Sequence, residues 1–94
     1  MLKVKYSKSA EQTIERIADF IENINTKSAG KRWKEQFNKK IHKYAVPVAY
    51  PLCRHIKFAL KNYSCISIYN WIIIFKIEHN IFYVYSIIHS SILR

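Results

Sequence analysis

Ninety-four residues, half of them apolar and 23% charged, make one domain with its own core and exclude a disordered chain. Sixteen Lys and Arg against six Asp and Glu give a formal charge of +10, a field that draws polyanions or acidic partners. The single glycine, Gly30, excludes every phosphate-cradling glycine loop, and two cysteines are too few for a disulfide scaffold or a structural zinc site.

Residues 2–6 alternate Leu2, Val4 and Tyr6 with Lys3 and Lys5, the period of a strand with one wet face. Ser7 or Ser9 can then cap a helix, Ser9 with Gln12 matching the reciprocal capping pattern. Ile14, Ile17, Ile21 and Ile24 follow at helical spacing, with Glu11, Glu15, Asp19 and Glu22 opposite. Residues 23–28 are polar and break the pattern. A second helix begins near Ser28, carrying Ala29, Trp33, Phe37, Ile41 and Tyr44 on one stripe and Arg32, Lys39, Lys40 and Lys43 on the other. Pro47 and Pro51 end it and open an irregular link, so the two helices form an antiparallel hairpin.

The remainder reads as β structure. Residues 63–69 alternate with Ile66 and Ile68 on one face; residues 71–77 are apolar on both faces apart from Lys76, as a central strand covered by helices. Glu78, His79 and Asn80 make the turn into a last strand over 81–89. The expectation is an α+β domain spanning 1–94. It comprises an N-terminal strand, the helical hairpin and a three-stranded antiparallel meander, forming one sheet with the hairpin on one face.

Charge is concentrated. Residues 27–61 hold ten basic side chains and only Glu35, a net +9. Within this stretch Arg54, His55, Lys57 and Lys61 follow the two prolines in a segment without strong apolar periodicity, so their heads project into solvent. Trp33, Phe37 and Tyr44 interleave with basic residues, but their helical spacing makes them core contacts before stacking platforms. Cys53 reads as a packed thiol. His42, His55 and His79 fall in separate elements without the spacing of four that a helical metal site needs, and no cofactor motif appears. The longest apolar run, 71–75, is too short to cross a membrane. Lys3, Lys5, Lys8 and Glu11 interrupt any leader-like segment, so the expected compartment is the cytoplasm, with both thiols reduced. From Cys65 to Phe75 there is no charge, Pro or Gly, which makes an aggregation-prone strand pair if its edge is open.

In order along the chain, Val4-Lys5-Tyr6-Ser7 precedes Ala10, Ile14 and Ile17. Ala29, Phe37 and Ile41 follow, then Tyr50-Pro51-Leu52-Cys53-Arg54, the run from Asn70 to Ile77, and Ile87-Ile88-His89. This pattern resembles the ParE/RelE superfamily of bacterial toxins from type II toxin–antitoxin pairs, closer to the ParE-type branch. The resemblance implies a toxin that binds an intracellular target, DNA gyrase in the ParE branch, and is neutralised by a cognate antitoxin. An acidic, initially disordered antitoxin tail suits both the basic surface and the apolar strands. Target-binding residues on this reading are Arg54, Lys57, Lys61, His89 and Arg94. The RelE branch implies a different activity, ribosome-dependent cleavage of messenger RNA. His89 or Lys57 would then transfer protons and Arg54 or Arg94 would hold the phosphate. Where many relatives carry arginine in the second and third strands, this sequence has Ser64 and Trp71, which weighs against cleavage. A degenerate member that keeps only antitoxin binding is the third alternative.

Overall fold

The computed structural model describes residues 2–91. Lys3–Tyr6 forms β1, with Lys3 and Lys5 exposed and Val4 and Tyr6 turned inward, as the alternation requires. Ser7 ends the strand and starts α1 (Lys8–Ile24). Its backbone is extended, and its hydroxyl accepts from the Ala10 N–H at 3.0 Å, so Ser7 takes the cap position and Ser9 does not.

The buried face of α1 is Ala10, Ile14 and Ala18. This corrects the expected isoleucine stripe: Ile17 and Ile21 are half-buried, and Ile24 is 62% exposed. The cause lies on the facing helix, α2 (Lys27–Lys43), where Gly30 packs directly against Ala18 and Glu22. Small residues at 18 and 30 let the two backbones approach more closely than isoleucine would allow, which rotates the larger side chains towards the margins. Lys34 and Glu15 pair across the outside of this hairpin. α2 buries Phe37 and Ile41 and stacks Trp33 on Phe37 at 4.7 Å, so its stripe is the expected one. It stops at Lys43, ahead of Pro47, and its last turn carries Lys40, His42 and Lys43, which suits the negative end of the helix dipole.

The link after α2 is not wholly irregular. It contains a one-turn helix, α3 (Ile56–Ala59), followed by β2 (Ser64–Ile68), β3 (Trp71–Glu78) and β4 (Ile81–His89). β2, β3 and β4 form the expected antiparallel meander, and His79 and Asn80 both adopt positive φ (51° and 63°), the backbone of a primed two-residue hairpin turn. The sheet order is β1-β4-β3-β2, and β1 pairs with β4 in parallel, so the sheet is mixed and only its meander is antiparallel. Parallel pairing needs a long crossover, and the helical hairpin with the following strands supplies it.

The sheet carries two unequal cores. On the hairpin face, Ala10, Ile14, Phe37 and Ile41 meet Ile73, Phe75, Phe82, Val84 and Ile87, with Phe75 and Phe82 stacked at 4.3 Å. Tyr50 joins them edge-on to Phe75 at 5.2 Å, and burial, with Tyr44 nearby, raises its hydroxyl pKa. On the other face Cys53, Phe58 and Ile74 make a smaller cluster with Tyr63, Cys65, Ile72 and Ile88 against it. Central β3 is therefore covered on both sides, by the hairpin on one and by the α3 segment on the other. The expectation of two reduced thiols is corrected here: Cys53 and Cys65 form a disulfide, their Cα atoms 4.9 Å apart. Antiparallel contact between the start of the α3 segment and β2, seen in the Leu52–Ser64 bridge, brings the two cysteines within bonding reach.

Candidate target-binding surface

The α3 segment is a strap held at two points. Phe58 anchors it to the sheet, and the Cys53–Cys65 bond ties its start to β2. His55 opens the helix, its Nδ1 accepting from the Lys57 N–H at 3.3 Å, and its ring lies 5.5 Å from that of Phe58. With Phe58 pointing inward, the other side chains of a single helical turn must point out. Arg54, His55, Lys57 and Lys61 are all exposed. So are Leu52, Ile56 (70%) and Leu60 (77%), which recur at every fourth position. The result is a rim on which apolar side chains alternate with cations. Among the described residues the ion pairs are Lys34–Glu15 and Lys76–Glu78, and none of the rim cations takes part in either.

His89 lies elsewhere. It ends β4 opposite Trp71, and the two rings meet edge to face at 5.1 Å. Trp71 packs against the hairpin-side core, whereas Ile88, the neighbour of His89, packs on the α3 side. The pleat therefore places His89 on the hairpin face and Arg54, Lys57 and Lys61 on the opposite one. His89 Nδ1 accepts from the Ser91 N–H at 3.2 Å and stands 2.9 Å from the Ser91 hydroxyl, which leaves the neutral ring's proton on Nε2. Arg94 lies outside the described residues. The five positions singled out from the sequence thus divide into a cluster of three, one histidine behind the sheet, and one outside the description. Ser64 is buried beside Tyr50 and Trp71 is half-buried, so neither adds a charge to the rim.

A groove of about 540 Å³ runs between α1 and α2 near Tyr6, lined by Ile14, Glu11, Glu15, Lys31 and Lys34. Its charges are of both signs. Burial lifts the Tyr6 hydroxyl pKa to about 12, and that hydroxyl donates to Asn38 Oδ1, so it stays protonated at neutral pH. No group of three His, Cys, Asp or Glu side chains converges as metal ligands among the described residues. What the α3 rim offers is cations and apolar contact.

A family model describing the ParE toxin of the type II toxin–antitoxin system parDE matches residues 4–93. The chain belongs to the ParE toxin family. Membership makes it the toxin half of a type II pair, with an antitoxin as its partner. No curated protein matches the chain. In this ParE-family chain no described helix is long and apolar enough to cross a membrane. Two features of its surface escaped the sequence reading. The spacing of Ile56 and Leu60 could have shown the apolar side of the rim, since positions four apart share a helical face. Alternation marks Lys3 and Lys5 as a wet face, but only the parallel pairing of β1 with β4 sets Tyr83 and Tyr85, out of phase with Phe82 and Val84, beside them.

Proposed function

We propose that this ParE-family toxin works by binding DNA gyrase in the cytoplasm through the rim of Arg54, Lys57 and Lys61 around Ile56 and Leu60. His89 and Arg94 are secondary contacts, and a cognate antitoxin neutralises the toxin by covering the same rim with an acidic, amphipathic segment. One observation carries the reading: three cations without ion-pair partners among the described residues stand beside large apolar side chains that a solitary domain would ordinarily bury. The cleavage reading draws less support, because His89 sits across the sheet from Arg54 and Lys57, and a phosphate centre needs its acid, base and cations together.

The test uses the purified full-length chain in a supercoiling assay with gyrase, and separately with messenger RNA on translating ribosomes. The expected result is blocked supercoiling with intact transcripts. Replacing Arg54, Lys57 and Lys61 together by Glu should weaken inhibition by about tenfold or more, while circular dichroism stays unchanged. Transcripts cut on the ribosome would overturn the proposal, as would normal growth of cells that accumulate the chain without an antitoxin. Because a reducing cytoplasm opens disulfides, inhibition is measured both with and without reductant.

A further inference from the structure

The strap covers only half of its sheet face. Phe58 and Cys53 lie over Ile74, Ile72 and Cys65, on the β2–β3 side. On the β4–β1 side nothing among the described residues overlies the sheet but its own side chains. Phe82, Val84, Phe75 and Val4 point to the hairpin core, so the pleat sends their neighbours Tyr83, Tyr85, Lys76, Lys3 and Lys5 the other way. The register makes a row of three: Lys5 pairs with Tyr83, and Tyr83 pairs with Lys76, at steps of about 4.8 Å across the sheet. Tyr83 and Tyr85 are each 37% exposed. Tyr63 closes the border with the strap, stacking on Tyr85 at 4.6 Å, and Lys76 Nζ sits 4.8 Å above its ring.

Plain alternation brings Tyr83 and Tyr85 to this face, and a bulge beside Tyr85 then returns Ile87 to the hairpin core. Ile74 pairs with Ser86 but Phe75 with Val84, so Tyr85 is the extra residue of β4. Ser7 fixes the bulge from the back, its N–H donating to the Val84 carbonyl at 2.9 Å and its hydroxyl to the Tyr85 carbonyl. The aromatic platform is thus held by the same residue that caps α1.

We propose that this open half-face, with Tyr63, Tyr83 and Tyr85 among Lys3, Lys5 and Lys76, binds a single-stranded polynucleotide, its bases on the tyrosine rings and its phosphates on the lysines. Aromatic faces accept any base, and flanking cations follow the backbone. A duplex keeps its base faces stacked inside and cannot use the rings. Glu78, 3.5 Å from Lys76, is the only carboxylate on these strands and ends the neighbouring row of Lys3, Ile81 and Glu78, so the face keeps a net positive sign. The site is separate from the rim of Arg54, Lys57 and Lys61, and its test does not depend on the identity of the toxin's target.

The experiment is fluorescence anisotropy of the full-length chain with labelled oligo(U) and oligo(dT) of about 12 nucleotides, against a duplex of equal length, over a salt series. Both single strands should bind at least about tenfold more tightly than the duplex. Tyr83→Ala should weaken them by about 5- to 100-fold, and Tyr83→Phe should retain binding. Lys5→Gln and Lys76→Gln should each lower the slope of log affinity against log salt by about 0.7. A preference for oligo(U) assigns the face to RNA and a preference for oligo(dT) to DNA, and either supports the site. Equal binding of the duplex, or a folded Tyr83→Ala chain that binds as well as the parent, overturns it and leaves only diffuse charge attraction. Displacement of the oligonucleotides by poly-glutamate at equal charge concentration also overturns it, assigning the face to an acidic protein.

Discussion

The two faces of the sheet differ in how they are finished. The hairpin face is closed by two long helices over stacked Phe75 and Phe82, and its central side chains are wholly buried. The other face is closed over half its width by one turn of helix, one phenylalanine and a disulfide, and its remainder is mostly lysine and tyrosine. Burial of apolar area on the first face supplies most of the folding free energy. The second face is left free to carry charge and exposed rings, and the covalent bond compensates for the small cluster beneath the strap. Close packing and the open surface of lysine and tyrosine therefore lie on opposite sides of one sheet.

The largest expected effect tests the dry side. Phe75→Ala should cost about 3–5 kcal/mol in chemical denaturation, enough to unfold much of a marginally stable domain, and a loss under about 1 kcal/mol would remove the distinction between the faces. Next comes the strap. Replacing Cys53 and Cys65 by Ser opens a loop of 12 residues. The loss should be roughly 3 kcal/mol, with hydrogen-exchange protection falling first at residues 56–63 and last in the helices. Gly30→Ala acts where the helices touch: the new Cβ would overlap the Ala18 carbonyl oxygen and Glu22 Cγ. The glutamate can swing aside but the carbonyl cannot. Overpacking of about 1–3 kcal/mol then exceeds the gain of roughly 1 kcal/mol in helix propensity, and the thermal midpoint should fall.

The smallest effect is alkaline. Tyr6 has its pKa raised by burial from 10.0 to about 12, so the fold favours its protonated form. Its contribution is complete below pH 10 and is lost as pH rises through 12. Tyr6→Phe should flatten stability against pH in that window; a curve of unchanged steepness would show that the alkaline loss arises elsewhere.

Much of this was legible in the chain. Alternation at Leu2, Val4 and Tyr6, the stripe at Phe37 and Ile41, and the turn at His79 and Asn80 each follow from local periodicity or backbone preference, and the elements formed where those signals lay. The exceptions depended on neighbours distant in sequence. Ile17 and Ile21 yielded the buried face of α1 to Ala10 and Ala18 because Gly30 approaches from another helix. Cys53 and Cys65 meet because the strap folds back beside β2, and spacing alone does not encode that return. The rim was half visible: the exposure of Arg54, Lys57 and Lys61 followed from the prolines, whereas the placing of His89 on the far face required the register of β3 and β4. Tyr83 and Tyr85 turn outward by plain alternation, whereas the return of Ile87 to the hairpin core passes through a bulge that no alternation rule registers.

Parallel pairing of β1 with β4 also sets a timetable. Lys3 has its partner only at Ile81, and Val4 at Phe82. On a ribosome adding roughly 5–20 residues each second, the opening strand waits about 4–16 s before the residue it pairs with has been made. Until then Val4 and Tyr6 lack the strand they pair with, so a nascent chain of this kind stays unassembled until residues 81–84 have been made.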